Sequence, residues 1–115
     1  MKRNLNFIEA GSLLEAKETT SVELTKIYLD NIKEAEELNC FNTITAEQAL
    51  DDAEKSDLRR QQGKLKSQFD GIPIGVKDLF CTKNIKTTAS SKILSNFVPS
   101  YESAVTQKCI VAGLI

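Results

Sequence analysis

Apolar residues in the first half of the chain recur at intervals of three and four, a spacing typical of amphipathic helices. The spacing predicts one helix over residues 7–16, weakened by Gly11, and a clearer second helix over residues 21–38. Thr20 and Glu23 have the spacing of a capping box, in which each side chain binds the backbone N–H of the other residue. We therefore expect the second helix to begin directly after Thr20.

A third helix is predicted after a short β-prone link over residues 41–44. Thr45 and Gln48 repeat the capping-box spacing, and small alanines follow on one face of the predicted helix. The pattern ends near residues 60–62, where Gly63 suits the position just beyond a helix. Residues 1–63 are thus predicted to be mainly helical.

The character of the sequence changes after Asp70 and Gly71, where short apolar segments replace long periodic ones. Ile72 to Val76 is predicted as a strand, and residues 85–88 as a weaker β segment. A last helix is expected over residues 102–112, with Ser100 or Ser103 as its cap and Gly113 as its end, before a second strand begins at residue 114. Strand, helix and strand in this order predict an α/β fold with helices packed on a parallel or mixed sheet.

Composition and charge indicate which partners and locations are not expected for this protein. Apolar residues make up 41% and charged residues 27%, with a formal net charge of −1 and both signs mixed along the chain. This balance does not predict a nucleic-acid interface or an anionic membrane surface as partner. The basic N-terminus lacks a following apolar stretch, and no run approaches the ~20 residues of a membrane span, so we expect neither a secretory signal nor a membrane segment.

The three cysteines, Cys40, Cys81 and Cys109, are odd in number and far apart, and the chain has no histidine. Such a set favours neither a disulfide framework nor a zinc site. We expect reduced thiols, as in a cytoplasmic protein.

Lys77 is the first candidate for chemistry because it ends a short apolar run that is typical of a buried strand. Burial disfavours the charged form of a lysine, so an enclosed lysine can accept and release protons near neutral pH. With no histidine in the chain, acid–base work near pH 7 would fall to such a group. From spacing alone, a solvent-exposed lysine at a strand end is the more frequent case.

The neighbouring candidates each have a structural alternative. Asp78 is interpreted either as a partner of Lys77 or as a turn residue after the strand. Cys81 has no base beside it in sequence, which favours a buried structural thiol over a nucleophile. Ser90 and Ser91 are interpreted either as lining a substrate pocket or, more simply, as capping the next turn.

Several motifs in a fixed order resemble the amidase signature family, and more narrowly its A subunits of glutamyl-tRNA(Gln) amidotransferases. The motifs are Asp70-Gly71-Ile72-Pro73-Ile74-Gly75-Val76-Lys77-Asp78, Cys81-Thr82-Lys83, Thr87-Thr88-Ala89-Ser90-Ser91-Lys92-Ile93-Leu94, Asn96-Phe97-Val98-Pro99 and Tyr101-Glu102-Ser103. The earlier Ser21-Val22-Glu23-Leu24 suits the same subunits, so the resemblance covers nearly the whole chain.

The resemblance implies that Lys77 is the catalytic lysine of a Ser–cis-Ser–Lys triad. In such a triad the lysine takes a proton, through the cis-serine, from the serine that attacks the amide carbon of glutamine. Ammonia is released, and water hydrolyses the acyl-enzyme. The resemblance further implies a complex with subunits B and C, in which a partner subunit binds ATP, Mg²⁺ and Glu-tRNA(Gln) and uses the ammonia. No cofactor is expected on this chain, and the segment is not expected to bind nucleic acid directly.

Both serines of the triad belong to a glycine- and serine-rich segment in the family, and no such segment occurs among residues 1–115. We therefore expect one partial amidase domain over 1–115, with 1–63 as its helical part, 70–115 as the start of the catalytic core, an incomplete sheet and no activity alone. Two alternatives stay open: another amidase signature hydrolase of small amides, or a non-catalytic fragment that only binds partner subunits.

Overall fold

The computed structural model describes residues 5–115, which form four α-helices and two single 3₁₀ turns. The helices are α1 (Phe7–Glu15), α2 (Ser21–Glu34), α3 (Ala46–Gln61) and α4 (Ala104–Ala112), and the 3₁₀ turns are Glu36–Leu38 and Lys92–Leu94. All four predicted helices are therefore confirmed, although α2 ends four residues earlier than the apolar spacing suggested. No helix in this described part of the chain has both the length and the apolar character needed to cross a membrane.

Local side-chain caps explain where α2 and α4 begin. The Thr20 side chain accepts from the Glu23 N–H at 3.1 Å, and the Glu23 carboxylate accepts from the Thr20 N–H at 3.0 Å, so the predicted capping box is confirmed. Ser103 caps α4 by accepting from the Thr106 N–H at 3.1 Å. The box predicted at Thr45 is wrong, because the Thr45 side chain makes no capping hydrogen bond.

Helix α3 also caps α2 from a distance. The Asp57 carboxylate accepts from the N–H groups of Ser21 at 2.8 Å and Val22 at 3.1 Å, which are two of the free donors at the start of α2. A negative charge at this end also suits the helix dipole. The two helices pack against each other around this contact, with Leu24 and Ala53 fully buried.

The apolar core is small. Ala10, Leu14, Leu24 and Ile72 are its buried members, and Leu5, Phe69 and Leu114 pack against it. Three aromatic side chains lie at the edge of this core or beyond it: Phe7 is 39% exposed, Phe41 44% and Phe97 37%.

The predicted sheet is not confirmed, because no strand is assigned between residues 5 and 115. The two segments expected to pair nevertheless exchange backbone hydrogen bonds. Ile115 N–H donates to the Ile72 carbonyl at 3.0 Å, Ile74 N–H donates to the Ile115 carbonyl at 2.8 Å, and Gly71 N–H donates to the Gly113 carbonyl at 2.9 Å. Ile115 therefore bonds to Ile72 and Ile74, the two neighbours of Pro73. This is the hydrogen-bond pattern of two parallel strands.

Candidate functional site

Asp70 anchors the entry to the segment that carries Lys77. Its side chain is fully buried and accepts from Ser56 Oγ at 2.7 Å, from Arg59 Nη2 at 2.7 Å and Nε at 2.8 Å, and from the Lys66 N–H at 2.8 Å. Burial alone would raise the pKa of Asp70, but these hydrogen bonds and the Arg59 charge outweigh it, so its pKa lies below the usual value. The carboxylate thus fastens α3 to the start of residues 70–77.

Two glycines let the chain pass close to this carboxylate. Gly113 adopts a φ of +84°, and a Cβ built on it would lie 2.5 Å from Asp70 Cγ. Gly71 has a φ of +95°, and its Cβ would lie 2.6 Å from Ser56 Oγ. Both positions combine a left-handed backbone with a close approach, which only glycine satisfies without strain.

Lys77 lies at the exposed end of this segment. Ile72, at the start, is 2% exposed, whereas Val76 is 42% exposed and Lys77 is exposed as well. The expectation that Lys77 is enclosed is therefore wrong for these residues taken alone. Burial at a strand end depends on what packs over it, and the described residues cover only the first part of the segment.

Asp78, beside Lys77, holds the turn at residues 88–90. Its carboxylate accepts from the Thr88 hydroxyl and from the Thr88 N–H at 2.8 Å, and its backbone carbonyl accepts from the Ala89 N–H at 2.7 Å. The hydrogen bond from the Thr88 hydroxyl, with further ones from the Thr88 N–H and Asn42, holds the pKa of Asp78 below its usual value. Asp78 therefore acts as a structural acceptor after the segment, which agrees with its interpretation as a turn residue.

The turn that Asp78 holds has an unusual backbone. Ala89 and Ser90 have φ values of +48° and +54°, a left-handed conformation that costs roughly 1–2 kcal/mol per non-glycine residue. Asn42, from the link between α2 and α3, donates from Nδ2 to Asp78 Oδ2 at 2.9 Å and to Ser90 Oγ at 3.0 Å. Ser90 thus comes together with Asp78, near Lys77 in sequence, whereas the side chain of Ser91 joins no described contact of this group.

Cys81 contacts Tyr101 rather than any base of the candidate site. Its Sγ lies 3.6 Å from the Tyr101 hydroxyl, and this hydrogen bond raises the pKa of Tyr101. The thiol is half-buried rather than buried, and all three cysteines are free. A structural role for Cys81 fits these contacts better than a role as nucleophile.

A shallow cleft of 260 Å³ lies elsewhere on the molecule, between α3 and the end of α4. It is lined by Asp52, Lys55, Arg59, Lys66, Ile110, Gly113, Leu114 and Ile115. No residue of the predicted site lines it, and Arg59 is already engaged by Asp70. We assign the cleft no role in the chemistry.

Sequence reasoning missed the residues that hold this region in place. Arg59 and Ser56 fall within the predicted third helix and Asn42 within the predicted link, but no local pattern indicates their contacts, because their partners are 11 to 48 residues away along the chain. The Asp70-Gly71 pair is visible in the sequence, but the burial of Asp70 is not, and no nearby residue identifies Arg59 as its partner.

Comparison with known proteins connects these features to a family. The sequence model of the Amidase family matches residues 23–115. The A subunit of the glutamyl-tRNA(Gln) amidotransferase from Caulobacter vibrioides is 50% identical over 105 residues, which are 91% of this chain and 21% of that protein. The A subunit from Anaplasma marginale is 46% identical over an alignment of 118 positions, which covers the whole chain and 24% of the relative.

Solved structures show the same similarity in three dimensions. One is described as a vestigial protein complex that reveals the evolutionary origins of an s-triazine catabolic enzyme, with a TM-score of 0.89 and 26% identity. A crystal structure of an amidase has a TM-score of 0.87 and 27% identity. Both alignments cover 96% of this chain and 25% of the other chain. The chain spans about a quarter or less of the length of the relatives named here.

Proposed function

Since this chain belongs to the amidase family, we propose that it contributes the catalytic lysine of a glutamine amidohydrolase that supplies ammonia for conversion of Glu-tRNA(Gln) to Gln-tRNA(Gln). The observation that carries the proposal is the position of Lys77, at the end of a segment anchored at Asp70 and paired with residues 113–115, inside the region matched by the family model. The relatives at 46–50% identity, both described as the A subunit of the amidotransferase, support this substrate.

In the proposed mechanism the Lys77 amine accepts the proton of the nucleophilic serine through the cis-serine. The serine oxygen then bonds to the amide carbon of glutamine, ammonia leaves, and water hydrolyses the ester to glutamate. The two serines and the donors of an oxyanion hole belong to a segment rich in glycine and serine, which residues 1–115 do not contain. ATP and Mg²⁺ are assigned to a partner subunit of the proposed complex with subunits B and C, and this chain is expected to lie in the cytoplasm.

The exposure of Lys77 fits a chain that acts only with further protein around it. Burial favours the neutral, proton-accepting form of a lysine, and the residues described here do not enclose Lys77. We therefore expect the 115-residue chain alone to hydrolyse no glutamine above background.

A glutaminase assay tests this proposal. The purified chain is incubated with glutamine, and released ammonia is compared with that of a Lys77→Met variant. Equal, background-level release from both is expected. Turnover by the unchanged chain that Lys77→Met abolishes would show that these residues form a complete site, and would refute the proposed dependence on outside serines.

Hydrolysis of other small amides is the alternative within the family. The described s-triazine-related and amidase structures are only 26–27% identical to this chain, against 46–50% for the amidotransferase subunits, and the difference favours glutamine. Comparing glutamine with simple amides, in any assembly that shows activity, separates the two substrates.

A purely binding role is the other alternative, and one observation favours it. Large apolar side chains are exposed in the second half of the chain, including Ile93 at 93%, Tyr101 at 57% and Val98 at 51%. Such a surface is typical of a protein–protein contact. Binding of companion subunits by a Lys77→Met chain, without any effect of that substitution on assembled activity, would favour this role.

A further inference from the structure

The link between α2 and α3 contacts the Lys77 segment on both sides of Lys77. On one side the Phe41 ring lies against Gly75, where a Cβ built on the glycine would be 3.3 Å from Cε1 of the ring. On the other side the Asn42 amide donates to the Asp78 carboxylate and to the Ser90 hydroxyl. Residues 41 and 42 thus contact both ends of the four-residue stretch 75–78 that contains Lys77.

The chemistry of the Asn42 side chain suits this bridge. A primary amide nitrogen carries two hydrogens, and both are used, at 2.9 Å to Asp78 and 3.0 Å to Ser90. The hydrogen bond to Asp78 has an ionised acceptor, which makes it stronger than a neutral one. An aspartate in place of Asn42 would face the Asp78 carboxylate with a like charge.

The bridge also joins two parts of the turn that Asp78 organises. Asp78 itself binds Thr88, Ala89 and the backbone N–H of Ser90, whereas the Ser90 hydroxyl is reached by Asn42. Ser90 is one of the two strained residues of the turn, with a φ of +54°. Asn42 therefore adds a side-chain contact to the attachment of this strained residue at the end of the Lys77 segment.

We propose that Asn42 is a positioning residue for Lys77: its amide fixes the end of the 72–77 segment to the turn at residues 88–90 and to the link at residues 41–45. Its importance for catalysis rests on the proposed function of Lys77, whereas the positioning itself does not. Asn42 acts on Lys77 through its contacts with Asp78 and Ser90.

The test uses the 115-residue chain and nuclear magnetic resonance, and needs no enzymatic activity. Asn42→Leu removes both donors at similar size, and Asn42→Gln keeps a donor amide. The matched control is Asn96→Leu, at an exposed asparagine. Amide hydrogen exchange is followed at Thr88 and Ala89, backbone order parameters at Lys77, and the titration of the Asp78 carboxyl carbon across acid pH.

In Asn42→Leu, exchange at Thr88 and Ala89 is expected to rise about threefold, the low end of the contribution of one solvent-exposed hydrogen bond. The Lys77 order parameter is expected to fall, and the Asp78 midpoint to move to higher pH, since the amide favours the ionised carboxylate. Asn42→Gln should restore part of each change, and Asn96→Leu should cause none.

The Gly71 N–H, hydrogen-bonded to Gly113 on the Asp70 side, is the internal reference. Unchanged exchange at Thr88 and Ala89 in Asn42→Leu, or an equal rise at Gly71, would overturn the proposal. If Asn42→Leu does not fold, Asn42→Ala, which also removes both donors, replaces it, and an unshifted Asp78 midpoint in Asn42→Ala refutes the proposal. Because none of these measurements involves glutamine, failure here is distinct from failure of the proposed function.

Discussion

Arg59 and Asp70 form a two-point ion pair in which Nε donates to Oδ2 at 2.8 Å and Nη2 donates to Oδ1 at 2.7 Å. The carboxylate is fully buried, whereas 22% of the arginine side chain is exposed. A bidentate pair of this kind fixes orientation as well as distance. It joins α3 to the segment that leads to Lys77, so the stability of the chain and the geometry of its candidate site depend on the same contact.

Removal of the Asp70 charge is expected to destabilise the chain strongly. Asp70→Asn leaves Arg59 partly buried without its anion, and loss of one partner from a buried pair costs about 3 kcal/mol, the low end of the usual range. Urea unfolding of the variant and the unchanged chain measures the difference in free energy of unfolding. Asp51→Asn is the matched control, since its pair with Lys55 is exposed, and its midpoint should stay close to that of the unchanged chain. Similar midpoints for both variants would contradict the anchoring role of Asp70.

The free energy of unfolding should depend on Asp70 and Asp78 at acid pH. Both have pKa values below the usual one in the folded chain, so they stabilise the fold fully above the unfolded value of about 4. This stability is lost as pH falls through the folded pKa values, because the unfolded chain then binds the protons more tightly. Unfolding free energy measured from neutral to acid pH should fall steeply, and less steeply in Asp70→Asn. Parallel curves for the two chains would disprove the contribution of Asp70.

Gly113→Ala and Gly63→Ala separate steric contact from backbone strain. Both glycines have positive φ, +84° and +66°, so alanine costs roughly 1–2 kcal/mol at either position through strain alone. At Gly63 a Cβ meets nothing within 4 Å, whereas at Gly113 it would lie 2.5 Å from Asp70 Cγ. Gly113→Ala should therefore lower the free energy of unfolding clearly more than Gly63→Ala, and a difference near zero would show that Asp70 moves aside freely.

Asp57→Ala should weaken the start of α2. Its carboxylate accepts from two N–H groups there, and loss of a helix cap costs about 1–2 kcal/mol. Faster amide exchange at Ser21 and Val22 would locate the effect at the helix terminus. Glu54→Ala, at an exposed position on the same helix, is the control and should leave exchange at both amides unchanged.

Helix ends could be predicted from the sequence where the contact that determines them is local. Thr20 and Glu23 are three residues apart, and Ser103 lies directly before its helix, so their side chains reach the backbone they cap whatever the rest of the fold does. Gly63 and Gly113 follow the same logic at the ends of α3 and α4. Thr45 is the exception, since its backbone turns to a ψ of 53° and its side chain does not cap α3.

Contacts and burial could not be predicted from the sequence where they depend on residues far away along the chain. Asp57 caps a helix 35 residues earlier, and Asn42 binds Ser90 across 48 residues, so neither leaves a periodic signal. Burial was the hardest property to predict. Leu58 has the spacing of an inner helix position, yet it is 53% exposed. Lys77 ends an apolar run, yet it is exposed too.

Three residues within one stretch of four in helix α3 make long-range hydrogen bonds. Ser56 and Arg59 bind Asp70, and Asp57 binds the start of α2. One extra residue inserted ahead of Ser56 would rotate all three by about 100° around the helix axis. Every one of these attachments would then miss its target at once. Natural variants of this chain should therefore tolerate exchanged side chains on the outer surface of α3 far more readily than any insertion or deletion within it.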